Sequence, residues 1–291
     1  MSVATSPGTP GAAVPQTLRT GRPRRLQRRF PRIRLSDVLS HGYIWLCLLV
    51  FVTPFLVLVA YTFSGVGGTS TAANFAFVFG SFLDNLKWSL LISAGALIGN
   101  VLIALPAAYG LMRYPVPGKR LLYTIVTLPL YVPGAVIGLS LLLTYYFTYH
   151  LATSVFGLIF AMMICTFPLM LTPIVVALKD LPVVFEEASE CLGATRWQTF
   201  HRIVLPLIGP GVSAGLMLTF IIVFNEYLVT LFVHPNDITT APLRVFNVVK
   251  TAGLAPSTTA LAVTMQVISL AAILLFFRIF GTRYFKGTYL I

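Results

Sequence analysis

Six apolar stretches limit what this chain can fold into: residues 43–63, 86–112, 121–147, 153–178, 212–232 and 257–280. A helix needs about 20 apolar residues to cross the hydrocarbon core of a bilayer, and each stretch supplies them. Only 10% of the residues are charged, against about 25% in soluble domains, so the chain cannot cover a water-exposed surface. The sequence therefore predicts an all-α, polytopic membrane protein with six transmembrane helices. Pro129, Pro133 and Gly134 interrupt the third stretch, and Pro168 and Pro173 the fourth. Backbone groups freed at such kinks could line a pathway, and packing irregularity explains the prolines equally well. Residues 65–81 and 234–256 read as external loops.

Residues 1–35 are rich in Pro, Gly, Ser, Thr and Arg and too poor in apolar residues to order themselves. They read as a disordered, basic cytosolic tail, with residues 36–291 as the transmembrane domain. The first apolar stretch is longer than the 7–15 residues or so of a secretory signal, so it reads as a span. Cys47, Cys165 and Cys191 have neither metal spacing nor a disulfide framework.

The net charge is +12. Its distribution points to membrane topology and not to a nucleic-acid partner. Eight of the twenty Lys and Arg residues lie in the first 34 positions and three in the turn at 113–120. Lys179, Arg196 and Arg202 lie in the loop at 179–210, and Arg278, Arg283 and Lys286 near the end. Six spans with both termini cytosolic put all of these inside, leaving Lys87, Arg244 and Lys250 outside. That orientation places the 179–210 loop in the cytosol.

This loop is the long polar segment between two apolar runs, and it holds half of the eight acids: Asp180, Glu186, Glu187 and Glu190. Its sequence predicts two short helices. Pro182 suits a first helical turn, and the glutamates suit the positive end of a helix. Gly193 offers a left-handed stop. Thr195 and Gln198 then form a capping-box pattern, and Trp197, Phe200, His201 and Val204 recur with one-face spacing. Such a pair could lie on lipid. Its acids oppose a negatively charged inner leaflet, and apolar anchors on a short helix suit a groove on a partner protein.

Glu187, Ala188 and Ser189, then Gly193, then Ile203, Leu205 and Pro206 follow at fixed spacing across this loop. The pattern resembles the EAA loop of ABC importer permeases: Glu-Ala-Ala, three residues, Gly, nine residues, Ile-x-Leu-Pro. Ser189 in place of the second Ala is the one departure. The resemblance implies the type I importer permease architecture in a bacterial inner membrane. It also implies that the loop, Trp197 included, seats in a cleft of a cytosolic ABC ATPase dimer. A second permease subunit and an extracytoplasmic solute-binding protein would complete the assembly. ATP and Mg would be held by the ATPase, with no cofactor on this chain. Within the family, residues 224–232, which read FNEYLVTLF, and Pro242-Leu243-Arg244-Val245-Phe246 resemble the spermidine/putrescine permeases. Those usually carry an acid where this chain has Asn225. Permeases for aminoethylphosphonate, ferric iron and other solutes share much of the pattern.

Inside the predicted spans, Glu226 is the one carboxylate. An ionisable group at that depth suggests function, whereas a position near the outer end would leave it among headgroups and water. On a continuous helix Glu226 and Thr230 share a face with Asn225 beside it, a set that suits a cationic amine. Gln266 and the tyrosines at 145, 146 and 149 are weaker candidates. No GxxxxGK[ST] loop and no HExxH motif is present, so the sequence predicts a transport subunit and not an enzyme. A membrane tether for a cytosolic partner would need the loop but no polar groups in the spans.

Overall fold

The longest helices form over long apolar stretches, and each carries at least one proline. The computed structural model describes residues 35–64, 71–149 and 154–278, and every element among them is helical. Most of the expected basic tail lies outside the described residues. The chain divides within its first helix, at Val52–Thr53. In the first unit, residues 41–52 of α1 (Leu35–Phe63) are apolar and almost wholly exposed.

The second unit holds the remainder. α2 (Thr71–Ser81) occupies most of the expected external loop. Asn74, Val78 and Phe82 recur every fourth residue and are buried, a helical stripe that the nearby glycines disguise in the sequence. Asn74 donates to the Thr62 carbonyl at 3.1 Å, and the Thr62 and Thr259 hydroxyls meet at 3.0 Å.

α3 (Leu83–Arg113) buries Ser89, Ser93, Ala96, Asn100, Ala104 and Ala108. This stripe of small side chains lets another helix approach closely, as membrane interiors favour. The chain then turns through Gly118 into α4 (Lys119–Thr127) and a 3-10 turn (Leu128–Tyr131). After Pro133, α5 (Gly134–Thr144) runs on into a π turn (Tyr145–Tyr149). The two halves of this third stretch differ in direction by 107°. The sequence marks the interruption; the structure shows a sharp corner, with extended backbone at Val132 and Pro133.

α6 (Val155–Asp180) packs on α3 and continues unbroken through Pro168 and Pro173, contrary to the expected interruption. Neighbouring helices support a proline in a membrane helix where water cannot. The loop helices follow: α7 (Val184–Cys191), α8 (Arg196–Thr199), a π turn (Phe200–Val204) and α9 (Leu205–Leu207). α10 (Gly209–Asn225) lies against α6. A Cβ at Gly211 would stand 2.6 Å from the Pro173 carbonyl oxygen, so glycine is needed for this approach.

The fifth stretch, expected to be continuous, breaks at Glu226–Tyr227, and α11 (Leu228–Val233) packs on α5. The expected polar loop at 234–256 contains α12 (Ala241–Ala252). Ala241 N–H donates to Ser89 Oγ at 2.8 Å, and Asn85 donates to the Thr239 carbonyl at 2.7 Å, which pins α12 to the start of α3. α13 (Pro256–Phe276) is the last described span. Among the described residues, four helices are long and apolar enough to cross a membrane, and the count reaches six if each of two bent pairs is one span.

Candidate functional site

α7 ends where the sequence places its stop. Gly193 has φ +87°. Its N–H bonds the Glu190 carbonyl at 2.9 Å, and Ala194 N–H reaches back to the Ser189 carbonyl at 3.1 Å, which completes a Schellman motif. The capping box then starts α8: Gln198 N–H donates to Thr195 Oγ1 at 3.3 Å, and Thr195 N–H to Gln198 Oε1 at 2.9 Å. The Ser189 and Thr199 hydroxyls meet at 2.6 Å and bind α7 to α8. Pro182 lies just before α7, outside its first turn.

The loop is clamped to the end of the bundle by a residue that sequence reasoning did not single out as a site. Glu186 is only 7% exposed. Arg113 Nε donates to its Oε1 at 2.6 Å, and the Tyr109 hydroxyl donates to Oε2 at 2.7 Å. Arg113 Nη2 also donates to the carbonyl of Leu181, the C-cap of α6, at 3.1 Å. Arg113 is the last residue of α3 and Glu186 lies in the first turn of α7. Each charge thus sits at the helix end whose dipole favours it. Tyr109 packs edge-on against Phe200 at 5.3 Å, so one node joins α3, α6, α7 and the π turn.

The motif residues divide between two faces. Ser189 is buried, Ile203 and Leu205 are half-buried, and Glu187, Ala188 and Pro206 are exposed. Of the expected single face, Trp197 stacks on both Phe200 and His201, at 6.2 Å each, while Val204 turns into the core. The π turn at 200–204 adds a residue per turn and rotates the stripe inward. Large apolar side chains are exposed on the loop, Val184 at 66%, Phe185 at 51%, Leu192 at 90% and Trp197 at 73%, alongside the charged Glu187, Glu190, Arg196 and Arg202.

The membrane candidates separate. Glu226 and Thr230 do not share a helix face, because the helix breaks at Glu226. Its Oε1 accepts from Leu228 N–H at 2.7 Å and Val229 N–H at 3.1 Å, capping α11. Thr230 is buried and donates to the Glu226 carbonyl at 3.2 Å. Asn225 turns to the Ile221 carbonyl and to Ser269 Oγ, and with Gln266 it lines a cleft of about 350 Å³. Tyr145 is buried and Tyr146 exposed. One GxSxG spacing is present, Gly211-Val212-Ser213-Ala214-Gly215. It lies inside α10 with no strand before it, its glycines admit α6, and Ser213 donates to the Pro210 carbonyl. That is packing and not a nucleophile elbow.

Residues 99–285, more than half of the chain, match the model of the binding-protein-dependent transport system inner membrane component family. The chain belongs to this family. Membership makes it a multi-pass inner-membrane protein and a non-catalytic subunit, with no cofactor of its own. Similar relatives include the molybdenum transport system permease protein ModB of Escherichia coli (strain K12), 33% identical over 180 residues, covering 57% of this chain and 79% of that protein. The sulfate transport system permease protein CysT of the same strain is 33% identical over 161 residues, 52% of this chain and 58% of that protein. The fold is similar to that in a crystal structure of a bacterial ABC transporter involved in import of the acidic polysaccharide alginate. There the TM-score is 0.67 at 16% identity, covering 85% of this chain and 98% of that one. The permease reading therefore stands, while the resemblance to polyamine permeases finds no support among these relatives.

Proposed function

We propose that this permease forms half of a solute pathway and couples it, through residues 179–210, to a cytosolic ATPase dimer. A second permease subunit and an external binding protein complete the assembly. The observation that carries this reading is the clamped loop that leaves the large apolar side chains of Val184, Phe185, Leu192 and Trp197 exposed. A loop lying on lipid needs no buried ion pair to hold it, whereas a loop that takes load from a partner does. Glu187, Ala188, Ser189, Gly193, Trp197, Ile203, Leu205 and Pro206 are the coupling residues of this proposal.

The reading we favour for the solute is an oxyanion of the molybdate or sulfate kind, as in the first relatives, with ferric iron, the solute of a further relative at 32% identity, as the alternative. Glu226 is consistent with this. Its Oε1 already accepts two backbone N–H groups, which gives the carboxylate a part in shaping the helix break that needs no cationic solute. Uptake by the whole complex in vesicles tests the reading, with radiolabelled molybdate, sulfate, spermidine and ferric iron supplied with the cognate binding protein. ATP-dependent uptake of molybdate or sulfate is expected. Spermidine uptake would overturn the anion assignment, and a complex that forms with an ATPase yet moves no solute would reduce the chain to a tether.

A further inference from the structure

We propose that the Glu186–Arg113 pair is a positioning device that makes the coupling loop, α3 and α6 move as one lever. The inference rests on the coupling role given above and assigns the residues that would transmit the load.

Three observations carry it. First, the pair is nearly closed to solvent: the Arg113 and Glu186 side chains are 11% and 9% exposed. An exposed pair contributes little and breaks readily, while a buried one resists separation because each charge would be stranded. Second, Arg113 donates from two guanidinium nitrogens at once, Nε to Glu186 and Nη2 to the Leu181 carbonyl. A lysine cannot reproduce that fork. Third, α3 and α6 are tied again inside the bundle, where buried Asn100 donates to Thr166 Oγ1 at 2.9 Å. Residues 100 and 113 lie about 20 Å apart along a helix rising about 1.5 Å per residue. Two ties at that separation, with close packing between them, force α3 and α6 to follow the loop together.

The exposed apolar side chains and the clamp belong to different residues. Val184, Phe185, Leu192 and Trp197 are exposed, and Glu186 and Ser189 are buried. Removing the clamp should therefore leave a partner able to bind but unable to move the helices.

The test compares the wild-type complex with Glu186→Gln and with the double variant Glu186→Met/Arg113→Met. The single change strands the Arg113 charge and should reduce the amount of complex recovered. The double change removes both charges, so assembly should recover toward wild type. If the pair positions the loop, stimulation of ATP hydrolysis by loaded binding protein, per assembled complex, stays at least about tenfold down in the double variant. A purely structural role predicts that stimulation returns with assembly, and that result would overturn the proposal.

A second measurement does not need the ATPase. A spin label on Cys191, which is exposed, with the other two cysteines replaced, reports loop motion in the permease alone. Label mobility should rise severalfold in the double variant. Unchanged mobility would reject the clamp, whatever the ATPase does. Failure of the wild-type complex to couple, with mobility responding as expected, would reject the coupling reading and keep the clamp.

Discussion

Substitution of Gly193 isolates the geometry of the loop from its chemistry. The residue sits at φ +87°, and a Cβ built on it meets nothing within 4 Å. The cost of a side chain is therefore conformational alone, about 1–2 kcal/mol for an L-residue forced into the left-handed region. That range shifts the population of the ordered turn by roughly five- to thirtyfold. The Schellman bonds from Gly193 to Glu190 and from Ala194 to Ser189 would loosen with it, and Leu192 and Trp197 would lose their fixed spacing. Asn enters this region more readily than Ala, and a β-branched residue less so. Transport and ATPase recovery, measured for Gly193→Asn, Gly193→Ala and Gly193→Val at equal membrane levels, should fall in that order. Transport at the wild-type rate by the Gly193→Val protein would refute the reasoning. So would a Gly193→Asn protein as impaired as Gly193→Val, because side-chain bulk would then matter where the structure shows open space.

Three further outcomes follow from the geometry. Gly211→Ala places a methyl 2.5 Å from Ala177 Cβ and 2.6 Å from the Pro173 carbonyl oxygen, so α10 must move off α6; overpacking of this kind costs about 1–3 kcal/mol, visible as a lower melting temperature of the purified permease. Glu226→Gln keeps an oxygen that can accept from Leu228 and Val229 and should transport near normally, while Glu226→Ala loses the cap, worth about 0.5–2 kcal/mol, and should lower uptake; equal loss in both would restore a role for the charge itself. Single cysteines at Gly118 and Thr195 should label from the cytosolic side and one at Asn236 from outside; cytosolic labelling at Asn236 would break the six-span topology.

The long helices were legible in the sequence because their signal is local. Expected limits of 86–112 and 153–178 differ by only a few residues from α3 and α6. The caps of the 179–210 loop were legible for the same reason, since Gly193, Thr195 and Gln198 act on backbone within a few residues. What the sequence hid depends on distant partners. The stripe of α2 is short, and α12 is held by Ser89 and Asn85, more than 150 residues upstream. The break at Glu226 arises where a carboxylate caps the helix after it, a role the periodicity of an apolar run cannot reveal. Glu186 and Glu187 are adjacent and chemically equal; only Arg113 and Tyr109 on α3 decide which is buried.

That adjacency bears on mechanism. A helix that only tethers a partner can float, and its buried face would need nothing more than apolar contact. α7 instead turns a carboxylate inward, where burial is costly unless it is fully bonded, and leaves another acid and the apolar side chains of Val184 and Phe185 exposed. The inward carboxylate is met by a guanidinium and a hydroxyl from one helix, and that guanidinium also holds the end of a second. Apolar contacts slide under lateral load, but directional bonds at 2.6–3.1 Å do not without breaking. A pair that resists sliding is what a loop needs if displacement at its outer face is to reach α3 and α6 undiminished.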